Sequence, residues 1–121
     1  MKEQIKKAIV DGDETSTTLL MRPLKNTVRV YANEMVSKVQ SIEKVKPGDI
    51  NAIRECVKGE NYRLSFQVTG DTTSSVWSCG QSMGLIYDVP SCQELIQRIV
   101  SEAVMLIEGA PSKFVVPLSR L

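Results

Sequence analysis

Apolar positions along the chain fall into runs of helical spacing separated by glycine and proline. From Lys2 to Val10, Ile5, Ala8 and Ile9 share one face with lysines opposite, and Gly12 stands where that helix would end. Thr15 to Met21 is rich in Thr and Leu and is stopped by Pro23, so it reads as extended. Between Thr27 and Val45 the residues Val28, Tyr31, Met35, Val39, Ile42 and Val45 recur at steps of three and four. That stripe predicts one long helix, with Asn26 as its cap. Pro47-Gly48 breaks it, Asp49 is placed to cap a shorter helix, and Ile50, Ile53 and Val57 form the buried face of that helix before Gly59 ends it.

Tyr62 to Val68 fits two descriptions. The alternation of Leu64, Phe66 and Val68 suits a strand, and a short helix leading into a Gly70-Asp71 turn suits the same residues. Thr72 to Ser75 is a polar connector, and Val76 to Ile86 reads as a short buried helix or turn. After Pro90, Ser91 and Glu94 match a capping box, in which hydroxyl and carboxylate satisfy the free N–H groups of a helix start. Cys92, Leu95, Ile96, Ile99, Val100, Ala103, Leu106 and Ile107 then predict a packed stripe as far as Gly109. The remainder, 110–121, contains two prolines and reads as a tail that runs over the surface or is disordered. The predicted fold class is mainly α.

With 121 residues and 42% hydrophobic side chains, the chain suffices for one small domain and is too short for a complete α/β barrel. Fifteen basic and fourteen acidic residues leave a net charge of +1 without a block of like charges, so no nucleic acid is expected as partner. No apolar run approaches the roughly 18 residues of a membrane span, and a cytoplasmic location without membrane contact is the expectation. Cys56, Cys79 and Cys92 form an odd set without CxxC spacing, which argues against a disulfide framework or a zinc site. The sequence has 0 histidines, which removes Ser-His hydrolase chemistry and imidazole metal ligation.

Four constellations could carry chemistry. Gly80 and Gly84 flank Gln81 and Ser82 close to Trp77; such small residues let a backbone approach a planar or phosphorylated ligand, with Gln81 and Ser82 as donors. The same glycines also suit plain Gly-x-x-x-Gly packing. Cys79 lacks a neighbouring base and reads as inert and buried, as do Cys56 and Cys92. Arg22, Lys25 and Arg29 form a basic cluster around the second helix start that suits an anion or a solvated face. Asp11, Asp13 and Glu14 lack the glycine and distal glutamate of a calcium loop, so no metal site is expected.

In order along the chain, Lys2-Glu3-Gln4-Ile5, Asp13-Glu14-Thr15, the run Leu20-Met21-Arg22-Pro23-Leu24-Lys25-Asn26-Thr27-Val28-Arg29-Val30, Gly70-Asp71, the run from Val76 to Ile86, and Pro90-Ser91-Cys92 with Glu94-Leu95 resemble the end of the nitronate monooxygenase family. That family, once called 2-nitropropane dioxygenases, also includes flavin-type enoyl-acyl-carrier-protein reductases. The resemblance runs to about Gly109. Family members commonly carry glycine where Ser75 stands and alanine where Cys79 stands, so the turn geometry there is open to change.

The resemblance implies a small helical cap domain plus the closing C-terminal helix of an FMN-binding TIM-type (β/α) barrel whose strands are absent from this chain. The implied divisions are 1–14, the last barrel-side helix; 15–75, the cap domain; 76–109, the return segment and C-terminal helix; and 110–121, the tail. The glycine-rich phosphate loops and the catalytic histidine of the family lie in the barrel, so this chain is expected to hold no catalytic residue and no FMN by itself. Gly80 and Gln81 are the residues it implies nearest the flavin or substrate cavity of the assembled enzyme, with Trp77 packed behind them. The implied activity is FMN-dependent oxidation of alkyl nitronates to carbonyl compounds and nitrite, inactive without the barrel. The expected partners are the missing barrel, or another copy through an exposed apolar face, with the Ile5 and Ile9 face of the first helix expected to be left without its partner. A free-standing helical module that binds a protein or ligand without catalysis is the alternative.

Overall fold

The computed structural model describes residues 1–114, with the side chains of 111–114 left aside. The chain divides into two units, Met1–Asp88 and a second that begins at Val89. The described residues are mostly helical, with one two-stranded antiparallel sheet.

In the first unit, helix α1 spans Glu3–Asp11 and buries Ile5 completely against Phe66 and Trp77 with Ile9 packed beside it, so this face is covered within the unit and not left without a partner as expected. Asp13 then organises the next turn: its carboxylate accepts the N–H groups of Thr15 and Ser16 at 2.8 and 2.9 Å, and Ser16 Oγ accepts the Asp13 N–H in return. This reciprocal capping delivers the chain into strand β1, Thr17–Leu20. Strand β2, Val28–Tyr31, pairs with it from Thr17↔Tyr31 to Leu20↔Val28. Antiparallel pairing is not the geometry of a (β/α) barrel, whose strands run parallel.

The stripe from Thr27 to Val45 is therefore not one helix. Its first two apolar members, Val28 and Tyr31, belong to β2, and α2 covers only Glu34–Val45. Asn33 caps α2, accepting the Val36 N–H at 2.9 Å, and Asn26 lies instead in the hairpin turn. Steps of three and four at Val28, Tyr31 and Met35 straddle a strand whose period of two also places Val28 and Val30 on one face. Asp49 caps α3, Ile50–Ile53, by accepting the Asn51 and Ala52 N–H groups. Only Ile53 of that helix is buried, Ile50 is exposed, and Gly59 opens α4, Gly59–Arg63, rather than closing α3.

Tyr62 to Val68 is helical: α4 continues into a widened π turn over Leu64–Thr69. Gly70 ends it at φ +75°, a left-handed conformation suited to glycine, with its N–H bonded to Ser65 O at 2.8 Å. One cluster of buried side chains joins the hairpin to α2 and α3 through Leu20, Val30, Val36, Val39, Ile53 and Cys56. A second centres on Ile5, Phe66 and Trp77.

In the second unit, α5 runs over Cys92–Phe114, beyond Gly109 where the spacing predicts its end. Its capping box is present: Ser91 N–H donates to Glu94 Oε2 at 2.8 Å and the Glu94 N–H to Ser91 Oγ at 3.2 Å. The stripe predicted as packed is not buried; Leu95, Ile96, Ile99, Val100, Leu106 and Ile107 are 45–72% exposed. Periodicity identifies an apolar face, but burial needs a surface to cover it. Cys92 is likewise exposed rather than buried. Residues 115–121 of the expected tail lie outside the described residues. Among the described residues no helix is long and apolar enough to cross a membrane.

Candidate functional site

The segment that carries Gly80 and Gln81 is held by the outer edge of β2. Tyr31 N–H donates to Trp77 O at 3.1 Å, Cys79 N–H to Arg29 O at 3.2 Å, and Val30 bridges Ser78. Trp77 itself is buried, stacked on Tyr31 with ring centroids 4.3 Å apart and edge-on to Phe66 at 5.5 Å. Its indole N–H donates to Thr72 O at 3.2 Å. The polar edge of the ring is thus satisfied inside the core, and the ring anchors the segment rather than facing a ligand.

Beyond this anchor the chain emerges. Gly80 and Gln81 are both exposed, and Gly80 precedes a short 3-10 turn, Gln81–Leu85, in which only Met83 is buried. The two glycines of the Gly-x-x-x-Gly pair differ. A Cβ on Gly80 would meet nothing nearer than Ser82 Oγ at 3.4 Å, whereas one on Gly84 would lie 2.9 Å from Glu14 N and 3.0 Å from its Oε2. Close packing explains Gly84, against the turn that Asp13 builds, and leaves Gly80 free of any steric demand.

Cys79 is half-buried, its thiol donating to Met83 Sδ at 3.3 Å. Burial pushes that thiol above its ordinary pKa, the opposite of what a nucleophile requires. Arg22 opens a 3-10 turn, Arg22–Leu24, that Lys25 caps within the hairpin connection and not at the start of α2, and the Arg29 guanidinium donates to Thr17 Oγ1 at 3.0 Å across the sheet. Asp13 is a structural cap whose carboxyl is held below the usual range, chiefly by the Thr15 hydroxyl and then that of Ser16. Asp71 plays the same part for Thr73, whose backbone N–H and hydroxyl lower it. Among the described residues no group of acidic and Cys side chains could hold a metal ion.

An FMN molecule needs donors or cations for its phosphate as well as a face for its ring. The Gly80-Gln81 turn is exposed, and the Met83 N–H inside it is spent on Gly80 O at 3.1 Å. These residues do not make an FMN site by themselves. A recess of about 460 Å³ beside α1, lined among others by Gln4, Lys7, Asp11, Tyr31, Gly70 and Asp71, does not include them. One feature had no counterpart in the motif reading: a groove on α2 and α3, for which the spacing of Lys38, Ile42, Val45 and Lys46 was the available signal.

No family model matches the chain. Its fold is similar to that of FabK from Thermotoga maritima, with a TM-score of 0.78, 25% identity, and coverage of 93% of this chain and 35% of that one. A point mutant of the same FabK matches with a TM-score of 0.69 at 20% identity, over 93% of this chain and 32% of the other. The chain thus spans about a third of the length of the solved structures it resembles.

Proposed function

We propose that this chain is the C-terminal portion of an FMN-dependent nitronate monooxygenase that oxidises alkyl nitronates to carbonyl compounds and nitrite, and that it acts only together with a barrel. The observation that carries the reading is the asymmetry of the match. Nearly all of this chain follows FabK, a flavin-dependent oxidoreductase with a TIM-barrel-like fold, while about two-thirds of FabK has no counterpart here. In this reading the barrel supplies the phosphate loops, the flavin and the catalytic base, since barrel enzymes place these groups at strand ends.

This chain's own residues contribute shape. Trp77, locked between Tyr31 and Phe66, fixes the emergence point of the Gly80-Gln81 turn, and that turn borders the substrate cavity of the assembled enzyme. The exposed apolar face of α5 supports the reading, because a contiguous stripe of this kind marks a surface that expects a partner.

The test is reconstitution. The 121-residue chain alone should leave the FMN spectrum unchanged, and a fusion to an upstream in-frame barrel should bind FMN and release nitrite from an alkyl nitronate. Tight flavin binding by the chain alone would overturn the reading, as would a fusion that reduces enoyl thioesters and spares nitronates. The absence of any in-frame barrel upstream would favour the non-catalytic helical module.

A further inference from the structure

The outer face of α2 carries a surface that the proposed activity does not use and the core covers only in part, through Ile42. Lys38, Ser41, Ile42, Val45 and Lys46 recur at i, i+3, i+4, i+7 and i+8, which is one helical face. With Ala52 of α3 they line an open groove of about 510 Å³. Both walls lie within the first unit. Val39, one turn away, is fully buried in the core, whereas Val45 is 79% exposed. Ile42 is half-buried against that core and Ala52 is half-buried, so Val45 is the main apolar surface of the groove left to solvent.

The charges around it are unbalanced locally. Among the described residues neither Lys38 nor Lys46 takes part in an ion pair. Of the carboxylates in the same region, Glu43 accepts the Met21 N–H through Oε2 while its Oε1 is buried without a partner among the described residues, Asp49 caps α3, and Glu55 pairs with Lys58 at 2.5 Å. Glu34 stands in the first turn of α2, where the helix dipole favours an anion. The groove therefore offers an apolar centre between two lysines, Lys38 within α2 and Lys46 at its C-cap, whose backbone positions are about 12 Å apart along the helix axis.

We propose that the α2–α3 groove docks an acidic amphipathic helix of another protein. The occupant would present two carboxylates about two turns apart, matching Lys38 and Lys46, with aliphatic side chains between them for Ile42, Val45 and Ala52. A single fatty carboxylate fits less well, since it could neutralise only one end of the groove. Opposite charges across such a surface set orientation and association rate, and the apolar centre supplies the area.

Binding is read by fluorescence anisotropy of a fluorescein-labelled helical peptide of roughly 15 residues. It carries two glutamates at that spacing with leucines between, and is titrated with the full chain at low salt. Binding is expected, weakened about tenfold in the double variant Lys38→Glu, Lys46→Glu. A peptide with lysines in place of the glutamates should recover affinity for that variant. Val45→Glu, at an exposed position, should weaken the original peptide without changing Trp77 emission, which reports the intact core. No binding by the wild-type chain would overturn the proposal. So would equal affinity for the double variant, or decanoate shifting the Ala52 amide resonance where the peptide does not.

Discussion

The side chain of Asn33 joins two parts of the first unit, and removing it tests how that unit is held together. Its Oδ1 accepts the Val36 N–H at 2.9 Å, and its Nδ2 donates to Thr72 O at 2.8 Å and Ser75 O at 2.9 Å. In Asn33→Ala the lost helix cap costs about 1 kcal/mol. Thr72 O keeps the Trp77 indole N–H. Ser75, by contrast, is fully buried, and its carbonyl would lose this partner, which adds about 1–3 kcal/mol. The total is about 2–4 kcal/mol, a large share of the stability of a small domain. Asn33→Ser keeps an acceptor for the cap and should recover only the first part. Asn33→Asp also keeps the cap, but it sets a carboxylate oxygen against two carbonyl oxygens and should be no more stable than Asn33→Ala. Urea unfolding followed by Trp77 fluorescence and far-UV circular dichroism measures each difference. An Asn33→Asp variant as stable as wild type would refute the reasoning, because the cap alone would then account for Asn33.

Further tests concern other links. Gly84→Ala should destabilise by about 1–3 kcal/mol because its Cβ would press on the Glu14 backbone, and Gly80→Ala should stay within about 0.5 kcal/mol; equal costs in denaturant titrations would contradict the distinction. Asp13 and Asp71 are held below their ordinary pKa by hydrogen bonds made in the folded chain, so their contribution is present above the unfolded value. It should fade as pH falls below about 4 through the folded values, and Asp13→Asn should flatten the acid side of a plot of urea midpoint against pH. Toward iodoacetamide the exposed Cys92 should react first, Cys79 slowly because its thiol is raised by burial, and Cys56 only on unfolding; mass mapping of a time course that found Cys79 fastest would count against the inert reading. The exposed face of α5 should make the isolated chain associate, and a melting temperature independent of concentration in a monomer would speak against that.

What the sequence determined by itself was local. The Asp49 cap, the Ser91 and Glu94 capping box, the stop at Pro47-Gly48 and the turn at Gly70 all depend on neighbours within a few residues, and each is present. The mainly helical class follows from them, as does the start of one long C-terminal helix after Pro90. Tertiary structure decided the elements whose identity depends on a distant partner. Val28 to Tyr31 became a strand because Thr17–Leu20 pairs with one edge and the Trp77–Cys79 segment with the other, contacts that no window of helical spacing contains. Asn33 rather than Asn26 caps α2 for the same reason, since the strand ends only at Tyr31. At the candidate site, the Gly80 and Gly84 motif was visible as a spacing, but only the fold separates a glycine pressed against Glu14 from one that stands open. The groove on α2 was written in the chain as lysines and aliphatics on one face, yet its exposure was not. Periodicity tells which side chains lie together, and only the packed structure tells which of those faces has found something to cover it.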